Sequence, residues 1–344
     1  MNDSPAGNPA EALRRIGYLL ERAHEPTYRV RAFRRAAATV DGLSADELQS
    51  RSKAGTLTEL AGIGDVIART IEEALAGEVP VYQRRLEATA GTPVAEGGAK
   101  LRAALKGDLH THSDWSDGGS PIEEMARAGA ALGHEYMVLT DHSPRLKVAN
   151  GLSAERLRQQ LEVVARVNEE LAPFRLLTGI EVDILEDGSL DQDPELLAEL
   201  DIVVASVHSK LRMPSDHMTP RMVRAIANPH VDVLGHCTGR IVVGKGRPES
   251  EFDAEIVFAA CERFGVAVEV NSRPERLDPP KRLLRLAVEA GCNVSIDTDA
   301  HAPGQLDWQP YGCERAAACA VPVETIVNTW AADDLLSWAG RQRG

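Results

Sequence analysis

The stretch from Gly107 to Gly118 contains two histidines two positions apart, His110 and His112, followed by Asp117. Side chains at positions i and i+2 of a β-strand point to the same face, so both imidazoles can converge on one point. Imidazole is a preferred ligand of zinc and iron, and a carboxylate can complete such a shell. The stretch therefore predicts part of a metal site, provided that the rest of the chain supplies further ligands.

Seven short apolar runs, rich in β-branched residues, alternate with helical segments after residue 106, and each ends at a polar side chain. This alternation predicts a parallel sheet, and the carboxyl ends of parallel barrel strands share one face. Six of the ten histidines fall at such ends, which is hard to explain as a coincidence of unrelated structural histidines. The candidate metal ligands are His110, His112, Asp117, His142, Glu181, His208, His236, Asp299 and His301.

These candidates exceed what one four-coordinate ion needs, so we expect two or three divalent ions with shared ligands. Glu181 is the natural bridging carboxylate. Such a cluster lowers the pKa of a bound water, so that a metal-bound hydroxide can attack phosphorus without a serine or cysteine nucleophile. Histidine-rich ligation favours Zn, Mn or Fe over Ca or Mg alone. The pattern predicts a metal-dependent phosphoesterase, with Glu181 and His142 among its catalytic residues.

The strand ends carry motifs in a fixed order, namely His110-Thr111-His112, Thr140-Asp141-His142, Gly179–Asp183, Ser206-Val207-His208, Gly235-His236 and Asp299-Ala300-His301. Over residues 107–335 this order resembles the PHP (polymerase and histidinol phosphatase) family. The resemblance implies an α/β fold, a distorted seven-stranded TIM-like (β/α)7 barrel, with a trinuclear metal centre. The segments Gly188–Asp191, His236–Arg240 and Asn271–Asp278 look most like the PHP domains fused to bacterial family X DNA polymerases. Cys237 replaces a proline usual there; we expect a small buried side chain, with metal contact by its sulfur as the alternative.

Three basic side chains near the ligands are candidates for binding the substrate phosphate: Arg240, Lys210 and Arg145. A guanidinium can hold a phosphate through two parallel hydrogen bonds, so we also expect Arg240 to act in catalysis. The alternative for each is a solvated surface charge. His217, in the segment from Met213 to Thr219, is a candidate to overhang the site and contact the substrate.

The first ninety residues predict a group of short helices. A short helix, the Gly62-Ile63-Gly64 turn and a second helix follow one another between Thr56 and Glu73. The glycines permit close approach of a backbone, and the amides that start the second helix suit a phosphate. The pattern resembles the helix-hairpin-helix of DNA-binding proteins and, over residues 9–90, the small N-terminal domain of family X DNA polymerases; an ordinary helical hairpin is the alternative. The candidate DNA contacts are Gly62, Gly64, Arg31, Arg34 and Arg35.

One position departs from the lyase-active members of that polymerase family. They carry a Schiff-base lysine eight residues beyond the first turn glycine, where this chain has Thr70. A hydroxyl cannot do this amine chemistry, and the adjacent Arg69 stays protonated. Only residues 91–106, rich in Gly and Ala, separate the helical part from the barrel, so a polymerase palm does not fit. We therefore expect neither lyase nor polymerase activity.

The composition sets further bounds. The 344 residues, 43% of them hydrophobic, suffice for a helical domain (9–90), a linker (91–106) and a PHP domain (107–344). Of the formal charge of −14, residues 1–106 contribute +1 and the remainder −15, which argues against broad wrapping of nucleic acid but allows weak local DNA contact through residues 9–90. Five scattered cysteines without a CxxC pair are typical of reduced thiols. Because neither a membrane span nor a secretory leader is recognisable, we expect a cytoplasmic location.

Three functions stay open on these grounds. The first is hydrolysis of a small phosphorylated molecule, which the acidic barrel favours. The second is a 3′-5′ exonuclease or 3′-phosphatase acting on a DNA end, which the helical domain favours. The third is a DNA-binding or scaffold protein with an inactive barrel, and the complete ligand set counts against it.

Overall fold

Two compact units make up the protein, residues 1–94 and 95–344. The computed structural model describes residues 7–90 and 97–340. The first unit is helical, and the second is an α/β barrel. None of the helices in these described ranges combines the length and apolar composition needed to cross a bilayer. The helices of the first unit are α1 (Pro9–Arg22), α2 (Thr27–Asp41), α3 (Ala45–Ala54), α4 (Asp65–Leu75) and α5 (Val81–Ala90).

Local signals in the sequence set the helix ends of the first unit. The Asn8 side chain accepts hydrogen bonds from two amides in the first turn of α1, and Ser44 accepts one at the start of α3. Gly55 ends α3 in the left-handed region, at φ 68°. The apolar faces of the helices enclose one core, which includes Leu13, Ile16, Leu20, Phe33, Leu57, Ile67 and Ile71.

A buried ion pair joins α1 to α2. The Arg34 guanidinium donates to Glu21 through Nε and Nη2, with N···O distances of 2.5 and 2.9 Å. Glu21 is buried, and the Arg34 side chain is only 16% exposed. Arg34 is therefore oriented into the domain, whereas Arg31 and Arg35 on the same helix are exposed.

The second unit contains seven parallel strands in consecutive order, each paired with the next. They are β1 (Gly107–Thr111), β2 (Tyr136–Leu139), β3 (Arg175–Asp183), β4 (Ile202–Ser206), β5 (Val233–Leu234), β6 (Ala267–Asn271) and β7 (Val294–Asp297). The helices are α6 (Ala99–Ala104), α7 (Ile122–Ala131), α8 (Ala154–Leu171), α9 (Pro194–Leu197), α10 (Ser215–Ile226), α11 (Ala254–Phe264), α12 (Lys281–Glu289), α13 (Gln309–Ala318) and α14 (Ala332–Gly340). The predicted TIM-like fold of the PHP type is confirmed.

The sheet curls until its first and last strands meet. Thr111 forms a parallel bridge with Ala300, and the His112 amide donates to the Ala300 carbonyl at 2.8 Å. Towards the other end of the same two strands, the Asn328 side chain donates to the carbonyls of Gly107 in β1 and Ile296 in β7. This nearly closed barrel brings all the carboxyl ends of its strands to one face.

Residues 99–104, which fall inside the predicted linker, form helix α6 of the barrel unit. Leu101 and Leu105 are buried in the barrel core. Gly98 adopts φ 74° against α13, where a Cβ would lie 2.4 Å from the Cys313 carbonyl carbon. The described second half of this segment therefore belongs to the barrel; residues 91–96 lie outside the described ranges.

We expect Arg34→Ala to destabilise the helical unit by about 3 kcal/mol, because it leaves the buried Glu21 carboxylate without its guanidinium. Hydrogen exchange of the α1 and α2 amides in the full chain measures this loss. The matched control is Arg35→Ala, which removes an exposed arginine from the next position and should change stability by less than about 0.5 kcal/mol. Equal protection of both variants would show that the pair contributes nothing.

Candidate metal centre

The nine predicted ligands lie at or just beyond the carboxyl ends of the strands. His110 belongs to β1 and Glu181 to β3. The others follow strand ends within a few residues, apart from Asp117, which lies in the longer loop after β1. The barrel thus brings together residues that are up to 191 positions apart in the sequence.

Glu181 lies at the centre of this group, 1% exposed. Its Oε1 is 2.9 Å from His236 Nε2 and 3.2 Å from His208 Nε2. Its Oε2 is 2.9 Å from His142 Nδ1 and also faces His110 and His112. Those two distances are 3.3 Å to His110 Nε2 and 3.6 Å to His112 Nε2. One carboxylate therefore faces five imidazoles and divides them between its two oxygens.

A second group of contacts surrounds His301. Its Nε2 is 3.3 Å from Asp117 Oδ1, which is also 3.6 Å from His142 Nε2. Asp299 Oδ1 lies 3.5 Å from His112 Nε2 and 3.5 Å from His301 Nδ1. His112 thus faces both Glu181 and Asp299, and His142 faces both Glu181 and Asp117, so the two groups form one continuous cluster.

Asp299 has an unusual backbone conformation, with φ 52° in the left-handed region. Aspartate tolerates this region better than most residues, but the conformation still costs free energy. Asp299 is the second residue after the buried strand β7, and its carboxylate faces His112. The strained backbone thus positions a ligand at the centre of the cluster.

Buried carboxylates behind the ligands orient the imidazoles. Glu269 Oε1 is 2.6 Å from His110 Nδ1, and this leaves His110 Nε2 facing Glu181. Asp183 Oδ1 accepts from the backbone amide of His208 at 3.2 Å and lies 3.5 Å from Nδ1 of its ring. Such partners fix the ring orientation of metal-binding histidines. Our sequence analysis missed Glu269, although a charged residue inside the apolar run of β6 was a visible signal.

The chemistry of the donor set fits divalent metal ions. Among the described residues, Nε2 of His110 and both ring nitrogens of His112 and His208 are buried without a hydrogen-bond partner, which is costly unless a cation binds them. Burial, reinforced by neighbouring His301 and His142, holds the pKa of His112 well below its usual value, so this imidazole is neutral. A neutral imidazole is the form that binds metal.

The carboxylates are ionised. Burial opposes charge on Glu181, but the facing histidines, His110 first among them, hold its pKa well below the usual range. Burial likewise opposes charge on Asp299, and Arg273 is the main group that keeps its pKa low. Anionic oxygens next to imidazole nitrogens form a site for borderline divalent cations, which would compete with protons at His110 and His208, whose pKa the Glu181 charge raises against the effect of burial.

Two arginines that the sequence analysis did not single out line the cavity over the cluster, Arg273 and Arg276. Arg276 Nε is 3.2 Å from Asp299 Oδ2. Arg273 Nη1 is 3.1 Å from His301 Nδ1 and 3.5 Å from Asp299 Oδ1. Both lie in the Asn271–Asp278 segment, whose two positive charges directly after β6 were the available signal.

The predicted phosphate contacts lie elsewhere. Arg240 is not among the described residues that line the cavity, and its guanidinium donates to the carbonyls of Arg276 and Leu277. Lys210 and Arg145 are exposed and also fall outside that lining. The catalytic and phosphate-binding roles of these three residues therefore stay predictions, and Arg273 and Arg276 are better placed.

Cys237 and His217, the two other residues predicted for the site, are not among the described residues that line the cavity. Cys237 is buried, with its Sγ 4.0 Å from Asp278 Oδ1. His217 is exposed on the first turn of α10, a helix that replaces most of the expected loop. Neither lines the cavity.

The predicted hairpin in the first unit runs from a 3-10 turn at Leu57–Glu59 to α4. Gly62 has φ 81°, a left-handed conformation that explains why glycine occupies this position. Gly64 has φ −93°, and a Cβ there would meet nothing within 4 Å, so the fold alone does not require glycine. Thr70 is buried, and its hydroxyl donates to the Val66 carbonyl at 2.8 Å.

Comparisons with known proteins show the family of the chain. A PHP domain model matches residues 108–273, and a helix-hairpin-helix domain model matches residues 5–79. A probable phosphatase of Thermoanaerobacter sp. (strain X514) is 32% identical over 233 residues, which cover 64% of this chain and 89% of that protein. The chain belongs to the PHP family. It is a metal-dependent phosphoesterase.

Two further comparisons cover different shares of the matched proteins. The DNA polymerase/3′-5′ exonuclease PolX of Bacillus subtilis is 42% identical over 237 residues, 69% of this chain, but this chain covers only 41% of that protein. A solved histidinol phosphate phosphatase from Lactococcus lactis, complexed with zinc, L-histidinol and phosphate, is 17% identical. That comparison covers 62% of this chain and 92% of the other, with a TM-score of 0.43.

We expect Glu181→Gln to lower the bound metal per chain, because the amide keeps the shape of the carboxylate but removes the charge that five imidazoles face. Elemental analysis after gel filtration measures the metal content. Glu195→Gln, which alters an exposed glutamate of α9, is the control and should leave it unchanged. Full metal content in Glu181→Gln would contradict a central role for this carboxylate.

Proposed function

We propose that the protein hydrolyses phosphoric esters at a centre of two or three divalent ions bridged by Glu181. The main support is the division of five histidines between the two oxygens of this one carboxylate. A carboxylate with donors on both sides can join neighbouring ions. The family relationship supports the phosphoesterase class, and the bridging geometry is our inference.

Three overlapping sets of donors support the number of ions. Within each set, the donor atoms lie within 4.8 Å of one another. The sets share His112, His142 and Glu181, as expected when neighbouring ions have common ligands. The sets are His112-Asp117-His142-His301, His110-His112-Glu181 and His142-Glu181-His208.

In such a centre the bound ions would lower the pKa of a coordinated water, provide the hydroxide nucleophile and stabilise the charge on phosphorus, and Zn, Mn or Fe would suit these ligands. The residues of the chain bind and orient the ester. Arg273 and Arg276 present two cations to the phosphoryl oxygens, a role that guanidinium groups perform well. Glu269 and Asp183 keep His110 and His208 in fixed orientations. His142 faces both Glu181 and Asp117, so it connects the two halves of the centre.

The direct test is hydrolysis of p-nitrophenyl phosphate with Mn²⁺ or Zn²⁺. We expect chelation to abolish turnover and His112→Ala to lower it roughly 100-fold or more, since even indirect ligand partners contribute up to that much. His217→Ala is the control, because this exposed histidine lies outside the cavity lining. No turnover with any divalent ion, together with no bound metal, would leave only a binding or scaffold function.

A DNA 3′ end is the second candidate substrate, for a 3′-5′ exonuclease or a 3′-phosphatase. The helix-hairpin-helix match and the PolX relative support it. The open space at Gly64 would allow a phosphate backbone to approach the first amides of α4. Asp65, exposed at the same helix end, would repel that phosphate, so we rank this substrate second to phosphoric esters in general.

The double variant Arg31→Ala/Arg35→Ala tests delivery of DNA by the helical unit. These arginines are exposed and lie one helical turn apart on α2. We expect weaker binding of 3′-recessed DNA and a salt slope lower by about one per lost phosphate contact, with p-nitrophenyl phosphate turnover unchanged. Arg51→Ala/Lys53→Ala on α3 removes the same charge and serves as the control. If both double variants bind alike, α2 does not contact DNA specifically.

A further inference from the structure

Arg240 contacts the turn that carries the two cavity arginines, which we call the arginine turn (residues 273–279). Its guanidinium donates through Nε to the Arg276 carbonyl at 3.1 Å and through Nη2 to the Leu277 carbonyl. The third nitrogen, Nη1, lies 3.4 Å from Glu249 Oε1. The Arg240 side chain is only 15% exposed. All three guanidinium nitrogens thus have partners within the protein.

The backbone of the arginine turn is held by hydrogen bonds from outside it. Five consecutive carbonyls, those of residues 275–279, each accept one. In chain order the donors are the Val242 amide, the Arg240 guanidinium twice, the Asn271 amide and the Arg315 guanidinium. These donors are not among the described residues that line the cavity, whereas Arg273 and Arg276 are. The turn is therefore fixed from behind, and its arginine side chains are left to face the cavity.

Leu277 is the strained residue of the turn, with φ 46° in the left-handed region. A bulky side chain adopts this conformation only where its surroundings impose it. The carbonyls of Arg276 and Leu277 belong to the two peptide planes that flank the Leu277 Cα. The planar guanidinium of Arg240 binds both carbonyls and so fixes the angle between these planes.

A carboxylate of the turn binds back to the segment that carries Arg240. Asp278 is buried, and it accepts from the Thr238 hydroxyl at 2.7 Å and from the Arg240 amide at 3.3 Å. The two segments are thus joined in both directions. Arg276 directly precedes Leu277, so relaxation of the strained backbone would move its side chain from Asp299, which lies 3.2 Å from its Nε.

We propose that Arg240 is a positioning residue that acts through Arg276. By holding the carbonyls on both sides of the Leu277 Cα, it keeps the Arg276 guanidinium in the cavity, where it binds the phosphoryl group. This role differs from the direct phosphate contact that the sequence suggested for Arg240. The inference rests on the proposed phosphoesterase function.

The test measures binding of inorganic phosphate to the metal-loaded full chain, by equilibrium dialysis with radiolabelled phosphate. Arg240→Ala and Arg276→Ala should each weaken binding about tenfold, the low end for a lost hydrogen bond to a charged group. Arg240→Lys should not restore it, because an ammonium lacks the planar fork. Full affinity in Arg240→Lys would overturn the proposal, as would full affinity in Arg276→Ala.

The matched control is Arg282→Ala. Arg282 is 63% exposed and pairs with Glu249, the carboxylate that Arg240 also faces. This variant removes a neighbouring charge without touching the arginine turn, so phosphate affinity should stay within about twofold, as expected for an exposed ion pair. A loss equal to that of Arg240→Ala would show a general effect of charge and overturn the proposal.

The double variant Arg240→Ala/Arg276→Ala separates positioning from direct contact. If Arg240 acts through Arg276, the double variant should bind phosphate as weakly as Arg276→Ala alone, within about twofold. Independent contacts to phosphate would instead add in free energy, so that the two losses multiply. Multiplied losses would overturn the proposal while leaving the phosphoesterase function intact.

Hydrogen exchange in the full chain gives a readout that needs no substrate. The amides of Arg276 and Leu277 donate to the Arg273 carbonyl within the turn, at 3.0 and 2.9 Å. Arg240→Ala should speed exchange of both amides, and Arg282→Ala should not. Equal protection would overturn the positioning role even if esters are hydrolysed. Absence of phosphate binding and ester turnover in the unaltered chain would instead refute the proposed function, and exchange alone would then decide whether Arg240 holds the turn.

Discussion

The barrel unit depends on one buried negative charge, that of Glu181. Removing an ionised carboxylate from water is costly unless cations or hydrogen-bond donors compensate for the loss of hydration. Five imidazoles face it. Burial opposes a proton on His110 and His208, but the charge of Glu181 raises the pKa of both, that of His208 to about 9, so protons on these rings compensate when no metal is bound. Divalent ions held by the carboxylate and the imidazoles would satisfy both partners. Stability of this end of the barrel and metal binding are therefore coupled.

The same coupling extends below the ligands, where polar contacts join the ends of the sheet. Asp108 on β1 accepts from the Thr298 hydroxyl at 2.5 Å, and Asp297 on β7 accepts from the Leu109 amide at 2.8 Å. Burial, together with neighbouring carboxylates, raises the pKa of both aspartates. Each of these contacts lies next to a ligand, His110 or Asp299. Barrel closure and ligand geometry thus use the same few residues.

Much of this could be predicted from the sequence because a strand end is a local feature. Each histidine of the cluster follows an apolar run, and parallel pairing alone brings those ends together. The direction of a long side chain is not local. Arg34 looked like part of a basic surface, but the packing of α1 on α2 brings Glu21 to it. Arg273 and Arg276 reach the cavity only through the turn after β6, where Leu277 has φ 46°.

Helix α6 shows the same limit of prediction from sequence. Its six residues lie in a segment rich in Gly and Ala, so composition favoured a linker. What orders it is burial of Leu101 and Leu105 in the barrel core, together with the close approach of Gly98 to α13. Those contacts depend on residues more than 200 positions later in the chain. Composition without tertiary context could not reveal them.

The left-handed backbone at Asp299 restricts how this centre can vary. The few side chains that tolerate φ near 52° include Asp and Asn, and only Asp also supplies a charged oxygen on a short stem. Glutamate would combine a strained backbone with a longer reach, which would shift the oxygen away from His112. At Asp299 the backbone itself selects the ligand, which makes it a fixed point from which sequence variation in related barrels can be interpreted.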